Sequence, residues 1–174
     1  MIKKTKFKNL LLIKNKSYFD KRGYFKELIR ENELNLRFPF KVMSFSKKNV
    51  IRGLHLQSKN SQGKYVTVLK GKVFDVVVDL RKNSKTYGKI FTSILSEKNS
   101  TSIYVPPGFA HGFCGLSNEN YVIYSCTKYR DKNNEVGIMY NDVDLKIKWP
   151  VKKPIISDKD KKNLSFKEFK KKFR

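Results

Sequence analysis

The sequence predicts an all-β fold, a sandwich or a barrel built from many short strands. Turn signals recur at short spacing along the 174 residues, and the segments between them alternate apolar and polar side chains as half-buried strands do. Helical patterns are few. Hydrophobic residues make up 39% of the chain and aromatic residues 13%, which argues against a disordered protein. This length and composition predict one domain spanning residues 1–174.

The clearest predicted strand covers residues 72–80. Asp75 and Asp79 lie on one of its faces, and the other face carries Phe74, Val76, Val78 and Leu80. Residues 65–69 precede it, and the turn signal Lys70-Gly71 predicts that the two strands form a hairpin. Further strands are predicted at residues 9–13, 42–46, 90–95, 101–105, 112–116 and 121–129.

Two segments show helical patterns. Residues 24–34 are a candidate short helix. Near the C-terminus, Phe166, Phe169 and Phe173 recur at helical spacing behind Ser165, a residue type that caps helix N-termini. We therefore expect a C-terminal helix with one apolar face.

The net charge of +24 comes mostly from lysine. The lysines are spread along the whole chain and do not alternate with aromatic residues in any single patch. This pattern favours solvated lysine-rich faces over a nucleic-acid site, although a positive surface would help to attract a phosphorylated substrate. No nucleic-acid partner is predicted.

The sequence also predicts a cytoplasmic protein without a membrane partner. No apolar run approaches the roughly 20 residues that span a bilayer, and the apolar residues 9–13 are too few for a signal peptide. Cys114 and Cys126 do not form a Cys-x-x-Cys pair and lie in apolar segments, which favours buried reduced thiols over a disulfide or metal pair.

The chain has two histidines, His55 and His111, far apart in sequence. Without a closely spaced histidine pair, the ligand supply for a metal-binding β-barrel is poor, and we predict no metal. An isolated histidine is more often structural than catalytic, but both have glycine neighbours. Strand alternation places His55 on one face with Gly53 and Gln57, and the other face carries Arg52, Leu54 and Leu56.

An acid–base site needs a base that titrates near neutrality, a group that orients it and an electrophile for the developing oxyanion. His55 could supply the base, Lys64 the electrophile and Tyr124 a returning proton. Asp158 and Asp160 are alternative orienting carboxylates. Composition alone favours ordinary surface charge for the lysine and both aspartates.

The motifs together resemble the dTDP-4-dehydrorhamnose 3,5-epimerase family. The similarity covers nearly the whole chain in the right order. Its blocks are residues 20–25, 46–57, 62–64, 71–81, 106–113, 141–142, 149–150 and 156–160. The Arg-Gly-Leu-His block at 52–55 and the Gly-Phe-Ala-His-Gly-Phe block at 108–113 are the most specific.

The resemblance implies a double-stranded β-helix, the cupin jelly-roll barrel, with short peripheral helices and a C-terminal helix. It further implies a homodimer without metal or redox cofactor that acts on a nucleotide sugar in dTDP-rhamnose and polysaccharide biosynthesis. By position, His55 matches the catalytic base, Asp160 its carboxylate partner, Lys64 the lysine near the 4-keto oxygen and Tyr124 the acid on the opposite face of the ring. The positions that match substrate contacts are Arg22, Glu27, Arg52, His111, Glu135 and Lys159.

The expected reaction is epimerisation at C3 and C5 of dTDP-4-dehydro-6-deoxyglucose, by proton abstraction and re-protonation. Two segments depart from the family pattern: Phe40-Lys41-Val42 replaces a Gln-x-Asn segment, and Tyr129-Arg130 replaces two consecutive tyrosines. A C3-only epimerase or a 3,4-ketoisomerase is therefore an alternative. A non-catalytic sugar-nucleotide binding barrel is a second alternative, which the joint presence of all the matched catalytic residues disfavours.

Overall fold

The computed structural model describes residues 1–173. Two antiparallel sheets and a hairpin contain the strands. In spatial order, the larger sheet is β1 (Ile2–Lys4), β2 (Leu11–Lys14), β10 (Thr101–Val105), β7 (Lys64–Lys70), β12 (Glu119–Cys126) and β5 (Phe40–Lys47). The smaller sheet is β13 (Glu135–Gly137), β6 (Ile51–Gln57), β11 (Phe109–Gly115), β8 (Lys72–Asp79) and β9 (Ile90–Ser96). The hairpin is β3 (Ser17–Asp20) and β4 (Gly23–Lys26).

Helices are short and peripheral, as predicted: α1 (Glu31–Leu34), α2 (Asp158–Lys161), α3 (Phe166–Phe173) and a 3-10 turn at Lys132–Asn134. The predicted C-terminal helix is α3, and Ser165 caps it. The Ser165 hydroxyl accepts from the Glu168 amide at 3.2 Å, while the Glu168 carboxylate accepts from the Ser165 amide at 2.7 Å. This reciprocal capping box fixes where the helix begins.

Strand β8 has buried side chains on both faces. Val73 and Val77 belong to the core between the two sheets, whereas Val76 and Val78 belong to a second core on the outer face of the smaller sheet. Phe166 and Phe169 of α3 cover that outer face. The predicted apolar face of residues 74–80 is thus confirmed. The opposite face is buried as well, because Asp75 and Asp79 on it are fully buried.

The predicted hairpin between residues 65–69 and 72–80 is wrong. Strand β7 pairs with β10 and β12 in the larger sheet, whereas β8 pairs with β11 and β9 in the smaller one. The reversal at Gly71 is real, but the chain crosses from one sheet to the other there. A turn signal specifies a change of direction and leaves open which sheet the next strand joins. This crossing is typical of a jelly roll.

The predicted helix at 24–34 is also largely wrong. Its first residues form β4, which pairs with β3, and only Glu31–Leu34 is helical. Cross-strand aromatic pairs stabilise the hairpin instead: the ring centroids of Phe19 and Tyr24 lie 5.7 Å apart. The strand predicted at 9–13 is β2, and a further short strand, β1, precedes it.

The other predicted strands are present with ends displaced by at most about three residues. Both cysteines are buried with free thiols, as predicted. None of the helices in residues 1–173 is long and apolar enough to cross a membrane.

Candidate active site

A cavity of about 430 Å³ opens between the two sheets at one end of the barrel. All the side chains predicted to be catalytic line it: His55, Lys64, Tyr124 and Asp160. It also contains the predicted substrate-contact residues Arg52, His111, Glu135 and Lys159. Residues that are up to about a hundred positions apart in the sequence thus line the same cavity.

The predicted base His55 contacts the carboxylate of Asp160. The Nε2 atom of His55 lies 2.6 Å from Oδ1 of Asp160. The His55 side chain keeps 27% of its surface exposed toward the cavity, whereas that of Asp160 keeps 5%. A buried carboxylate thus fixes the ring orientation of an accessible imidazole.

Local structure around α2 positions Asp160. The Ser157 hydroxyl caps α2 by accepting from the Asp160 amide at 3.1 Å. The Gly53 amide donates to the second carboxylate oxygen of Asp160 at 3.2 Å. Burial would raise the pKa of Asp160, but the hydrogen bonds from His55 and Gly53 hold it below its usual value.

The rival carboxylate Asp158 does not reach His55. Its side chain is 89% exposed and pairs with Lys161 at 2.8 Å. On the short helix α2, two residues of separation turn one carboxylate inward and the other to solvent.

Strand β6 contains an irregularity that brings Arg52 into the cavity. His55 opposes His111 on β11, yet Arg52 opposes Phe113, so β6 uses one residue more than its partner over this span. The prediction that Arg52 faces away from His55 is therefore wrong. A Cβ at Gly53 would lie 2.6 Å from the Gly112 Cα, so glycine is needed where the two backbones approach.

Lys64 and Tyr124 lie on neighbouring strands of the opposite sheet. The Lys64 ammonium donates to the backbone carbonyl of His55 at 3.4 Å, so this group contacts the residue that carries the predicted base. Burial lowers the pKa of Lys64 below its ordinary value of 10.5. The Tyr124 hydroxyl lies 3.4 Å from that of Ser44, and burial raises the pKa of Tyr124, so this phenol stays protonated at neutral pH.

His111 forms a second histidine–aspartate pair. Its Nε2 atom lies 2.7 Å from Oδ2 of Asp75, and both side chains are almost completely buried. The His111 ring packs edge-on against that of Tyr124, with centroids 6.1 Å apart. His111 of this pair lines the cavity, where its ring contacts that of the predicted acid.

The cavity mouth holds a cluster of ion pairs around Glu135. Its carboxylate contacts the ammonium of Lys159 through one oxygen and the guanidinium of Arg130 at 2.7 Å through the other. Burial would raise the pKa of Glu135, but hydrogen bonds from the two cations hold it below its usual range.

Two predicted substrate-contact residues lie outside the cavity of a single chain. Arg22, in the β3–β4 turn, pairs with Asp20 at 2.7 Å. Glu27, just after β4, pairs with Arg30 at 2.6 Å. The hairpin thus carries both away from the space that His55 lines.

Sequence reasoning missed several contributors to this site. From the sequence, Asp75 is given a strand face but no role in the site, and no role is given to Ser44, Gln57 or Gln62, which line the cavity. An acidic residue inside a run of valines was the available signal for Asp75. The hydroxyl and the two amides give no such signal in a single sequence.

The arrangement supports proton transfer at a carbon beside a carbonyl. It combines an oriented imidazole, an ammonium and a neutral phenol, all lining one cavity. Within residues 1–173, no three histidine, cysteine or acidic side chains group as metal ligands would.

Comparison with known proteins agrees with this geometry. The family model for dTDP-4-dehydrorhamnose 3,5-epimerase matches residues 4–168. A dTDP-4-dehydrorhamnose 3,5-epimerase from Methanothermobacter thermautotrophicus is 43% identical over 166 residues, covering 91% of this chain and 90% of that protein. One from Shigella flexneri is 40% identical over 164 residues, covering 90% and 91%.

Solved structures extend the similarity to three dimensions. A dTDP-6-deoxy-D-glucose-3,5-epimerase from Legionella pneumophila, in complex with dTDP-4-keto-L-rhamnose, superposes with a TM-score of 0.90 at 41% identity. The match covers 95% of this chain and 92% of that one. These epimerases have the cupin jelly-roll fold, so the predicted fold class is confirmed. This chain belongs to the dTDP-4-dehydrorhamnose 3,5-epimerase family, a family of isomerases.

Proposed function

We propose that this chain epimerises C3 and C5 of dTDP-4-dehydro-6-deoxyglucose to give dTDP-4-dehydrorhamnose. The observation that carries the proposal is the 2.6 Å contact between His55 and Asp160 in a cavity that Tyr124 and Lys64 also line. The complex of the Legionella relative with dTDP-4-keto-L-rhamnose supports this class of substrate.

The proposed chemistry begins at the carbons beside the 4-keto group, whose hydrogens the carbonyl acidifies. His55 removes one of these protons, and Asp160 supports the imidazolium that forms. The ammonium of Lys64 stabilises the negative charge on the enolate oxygen. Tyr124, on the opposite sheet, returns a proton to the other face of the carbon, which inverts it. His55 then passes its proton to solvent and Tyr124 regains one from solvent, which restores both groups. The same sequence at the second carbon completes the reaction.

The test is proton NMR of dTDP-4-dehydro-6-deoxyglucose incubated with the protein in deuterated water. We expect deuterium at both C3 and C5 of an inverted product. Deuterium at C3 alone would identify a C3-only epimerase, and a shifted keto group would identify a 3,4-ketoisomerase. Binding without any exchange would contradict enzymatic activity and favour the binding barrel.

We also propose that the active form is a homodimer that uses the N-terminal part of the chain. The β3–β4 hairpin exposes 77% of Phe19 and 68% of Phe25, an apolar surface that a second copy could cover. The same hairpin carries Arg22, and Glu27 follows it, so dimerisation could bring both toward the partner's cavity. The apolar segment at residues 10–13 does not support the dimer, because β2 is an internal strand between β1 and β10.

The dimer proposal is tested by light scattering at micromolar concentration. A dimer is expected for the wild type, with a shift toward monomer in Phe19→Ser/Phe25→Ser. A wild-type monomer under these conditions would refute it. A cytoplasmic location remains part of the proposal, supported by the two buried free thiols.

A further inference from the structure

We propose that Ser44 is a positioning residue for Tyr124, and that its hydroxyl makes inversion the main outcome at the reacting carbon instead of simple proton exchange. This inference rests on the proposed function and adds to it a residue that the sequence did not indicate. In this role Ser44 acts through Tyr124 and exchanges no proton with the substrate.

The first support is the position of Ser44 on strand β5. In the pairing of β5 with β12, Tyr124 lies opposite Val42, and Val122 lies opposite Ser44. Ser44 is therefore the diagonal neighbour of Tyr124 on the face of the sheet that lines the cavity. Eight paired residues in each strand hold this arrangement.

The second support is the contact between the two hydroxyl groups. The Tyr124 hydroxyl lies 3.4 Å from Oγ of Ser44, and no other residue among 1–173 forms a hydrogen bond with it. This separation is long for a hydrogen bond between hydroxyl groups, as contacts of catalytic groups often are before the substrate is bound. We expect it to shorten when the phenol carries negative charge.

The third support is the composition of the cavity face of β5. The side chains that β5 contributes to the lining are Phe40, Val42 and Ser44. The first two are apolar, so the Ser44 hydroxyl is the polar group that this strand can offer to a phenolic oxygen. The His111 ring packs edge-on against the ring of Tyr124, with centroids 6.1 Å apart. One neighbour thus contacts the ring of Tyr124 and another contacts its hydroxyl.

The role follows from what happens to Tyr124 when it returns a proton. Its O–H bond breaks, a C–H bond forms on the face of the carbon away from His55, and a phenolate remains. A partly buried phenolate needs a hydrogen-bond donor, and the Ser44 hydroxyl can donate to it without losing its own proton. Burial raises the pKa of Tyr124, whereas the hydrogen bond with Ser44 acts against this rise, which is the direction that phenolate stabilisation requires.

Loss of this donor should change the balance between two outcomes. After His55 has removed a proton, the enolate can take a deuteron back from the His55 face, which restores the original configuration. It can also take one from Tyr124, which inverts the carbon. Without its donor the phenolate is less stable, so only the second route slows. The ratio of inversion to deuterium incorporation at C3 therefore measures the contribution of Ser44.

The experiment measures this ratio by proton NMR of dTDP-4-dehydro-6-deoxyglucose in deuterated water, for the wild type, Ser44→Ala and Ser44→Thr. The control is Ser102→Ala. It removes a hydroxyl that lies 2.8 Å from that of Thr67 on a neighbouring strand of the same sheet, outside the cavity lining. Ser44→Ala is also combined with Tyr124→Phe. Thermal unfolding of every variant establishes that the fold is intact.

We expect Ser44→Ala to lower the ratio by about tenfold, the size of effect for one hydrogen bond to a charged group, with deuterium incorporation within about threefold of the wild type. Ser44→Thr keeps the hydroxyl and should retain most of the wild-type ratio, and Ser102→Ala should match the wild type. In the Tyr124→Phe background, Ser44→Ala should have no further effect, because the group through which it acts is already absent.

The inference is overturned if folded Ser44→Ala keeps the wild-type ratio, or if incorporation and inversion fall by the same factor. A similar loss of inversion in the Tyr124→Phe background would also overturn it, since Ser44 would then act on packing and not through the phenol. Failure of the proposed function is a different result. A wild type that exchanges no deuterium contradicts both proposals, whereas an active wild type with an unaffected Ser44→Ala variant contradicts this inference alone.

Discussion

The two histidine–aspartate pairs of this barrel have nearly the same hydrogen-bond length and opposite surroundings. His55 and His111 oppose each other on adjacent strands, 2.6 Å and 2.7 Å from their respective carboxylates. His55 keeps 27% of its side chain open to the cavity, whereas His111 keeps 3%. Only the accessible ring can take a proton from a substrate carbon and release it to solvent. The difference in burial therefore favours His55 as the base and gives His111 a structural role in the cavity wall.

Their carboxylates differ in the same sense. Asp160 comes from a short helix more than a hundred residues after His55, and its second oxygen accepts from the Gly53 amide. Asp75 is on the strand next to His111, and its Oδ1 atom has no partner among the described residues. Asp160 can therefore support a charged imidazolium at the accessible His55. In the second pair, both side chains are buried.

The largest expected effect is on His55. His55→Ala should slow deuterium exchange at C3 and C5 by about 10²–10⁴-fold, the usual loss when a general base is removed. Proton NMR in deuterated water measures both positions. Exchange of the C3 proton at the wild-type rate in this variant would reassign the base, with His111 as the next candidate.

The buried pair should contribute more to stability than the exposed one. His111→Leu leaves the Asp75 carboxyl buried without its partner, and we expect the free energy of unfolding to fall by roughly 3 kcal/mol. His55→Leu should cost less, about 1–2 kcal/mol, because the Asp160 carboxylate, although buried, retains the Gly53 hydrogen bond. Urea denaturation compares the two variants, and equal losses would remove the distinction drawn between the pairs.

The orienting carboxylate should have a smaller effect on rate than the base. Asp160→Asn should lower kcat by roughly 10²-fold, because the imidazole loses its anionic partner while its base remains present. Asp158→Asn is the matched control on the same helix, and its exposed carboxyl predicts a rate within about twofold of the wild type. A similar loss in both variants would mean that the charge of α2, and not the contact with His55, is what matters.

Lys64 should set an alkaline limit on activity. Burial lowers its pKa below 10.5, so raising the pH removes the ammonium charge earlier than for an exposed lysine. We expect kcat/KM to fall with rising pH before pH 10.5, and this descent to move upward in Lys64→Arg, whose guanidinium stays charged. An unchanged alkaline profile in that variant would assign the descent to another group.

Features that depend on local sequence patterns could be predicted. Alternation located the strands and the apolar grouping of Phe74, Val76 and Val78, and the Ser165 cap predicted α3. The glycine neighbours of His55 and His111 pointed to a site, and the structure adds that Gly53 and Gly112 lie where β6 and β11 approach closely. The choice of Asp160 over Asp158 came from the family resemblance, because their chemistry is identical.

Features that depend on long-range packing escaped sequence reasoning. The turn at Gly71 does not encode that β8 joins the opposite sheet, and alternation in β8 does not encode that the barrel buries both faces. The complete burial of Asp75 and its contact with His111 are therefore absent from the predictions. The extra residue in β6 directs Arg52 into the cavity, and no residue in that strand predicts this irregularity.

The central claim is that two side chains on opposite sheets remove and return the proton. Proton NMR of Tyr124→Phe in deuterated water tests it most directly, by comparing deuterium incorporation at C3 with formation of the inverted product. We predict incorporation within about tenfold of the wild type, since His55 can return a deuteron to the face it attacked, and inversion slowed by about 10²-fold or more. Incorporation and inversion lost to the same extent, or both retained, would contradict the division of roles between His55 and Tyr124.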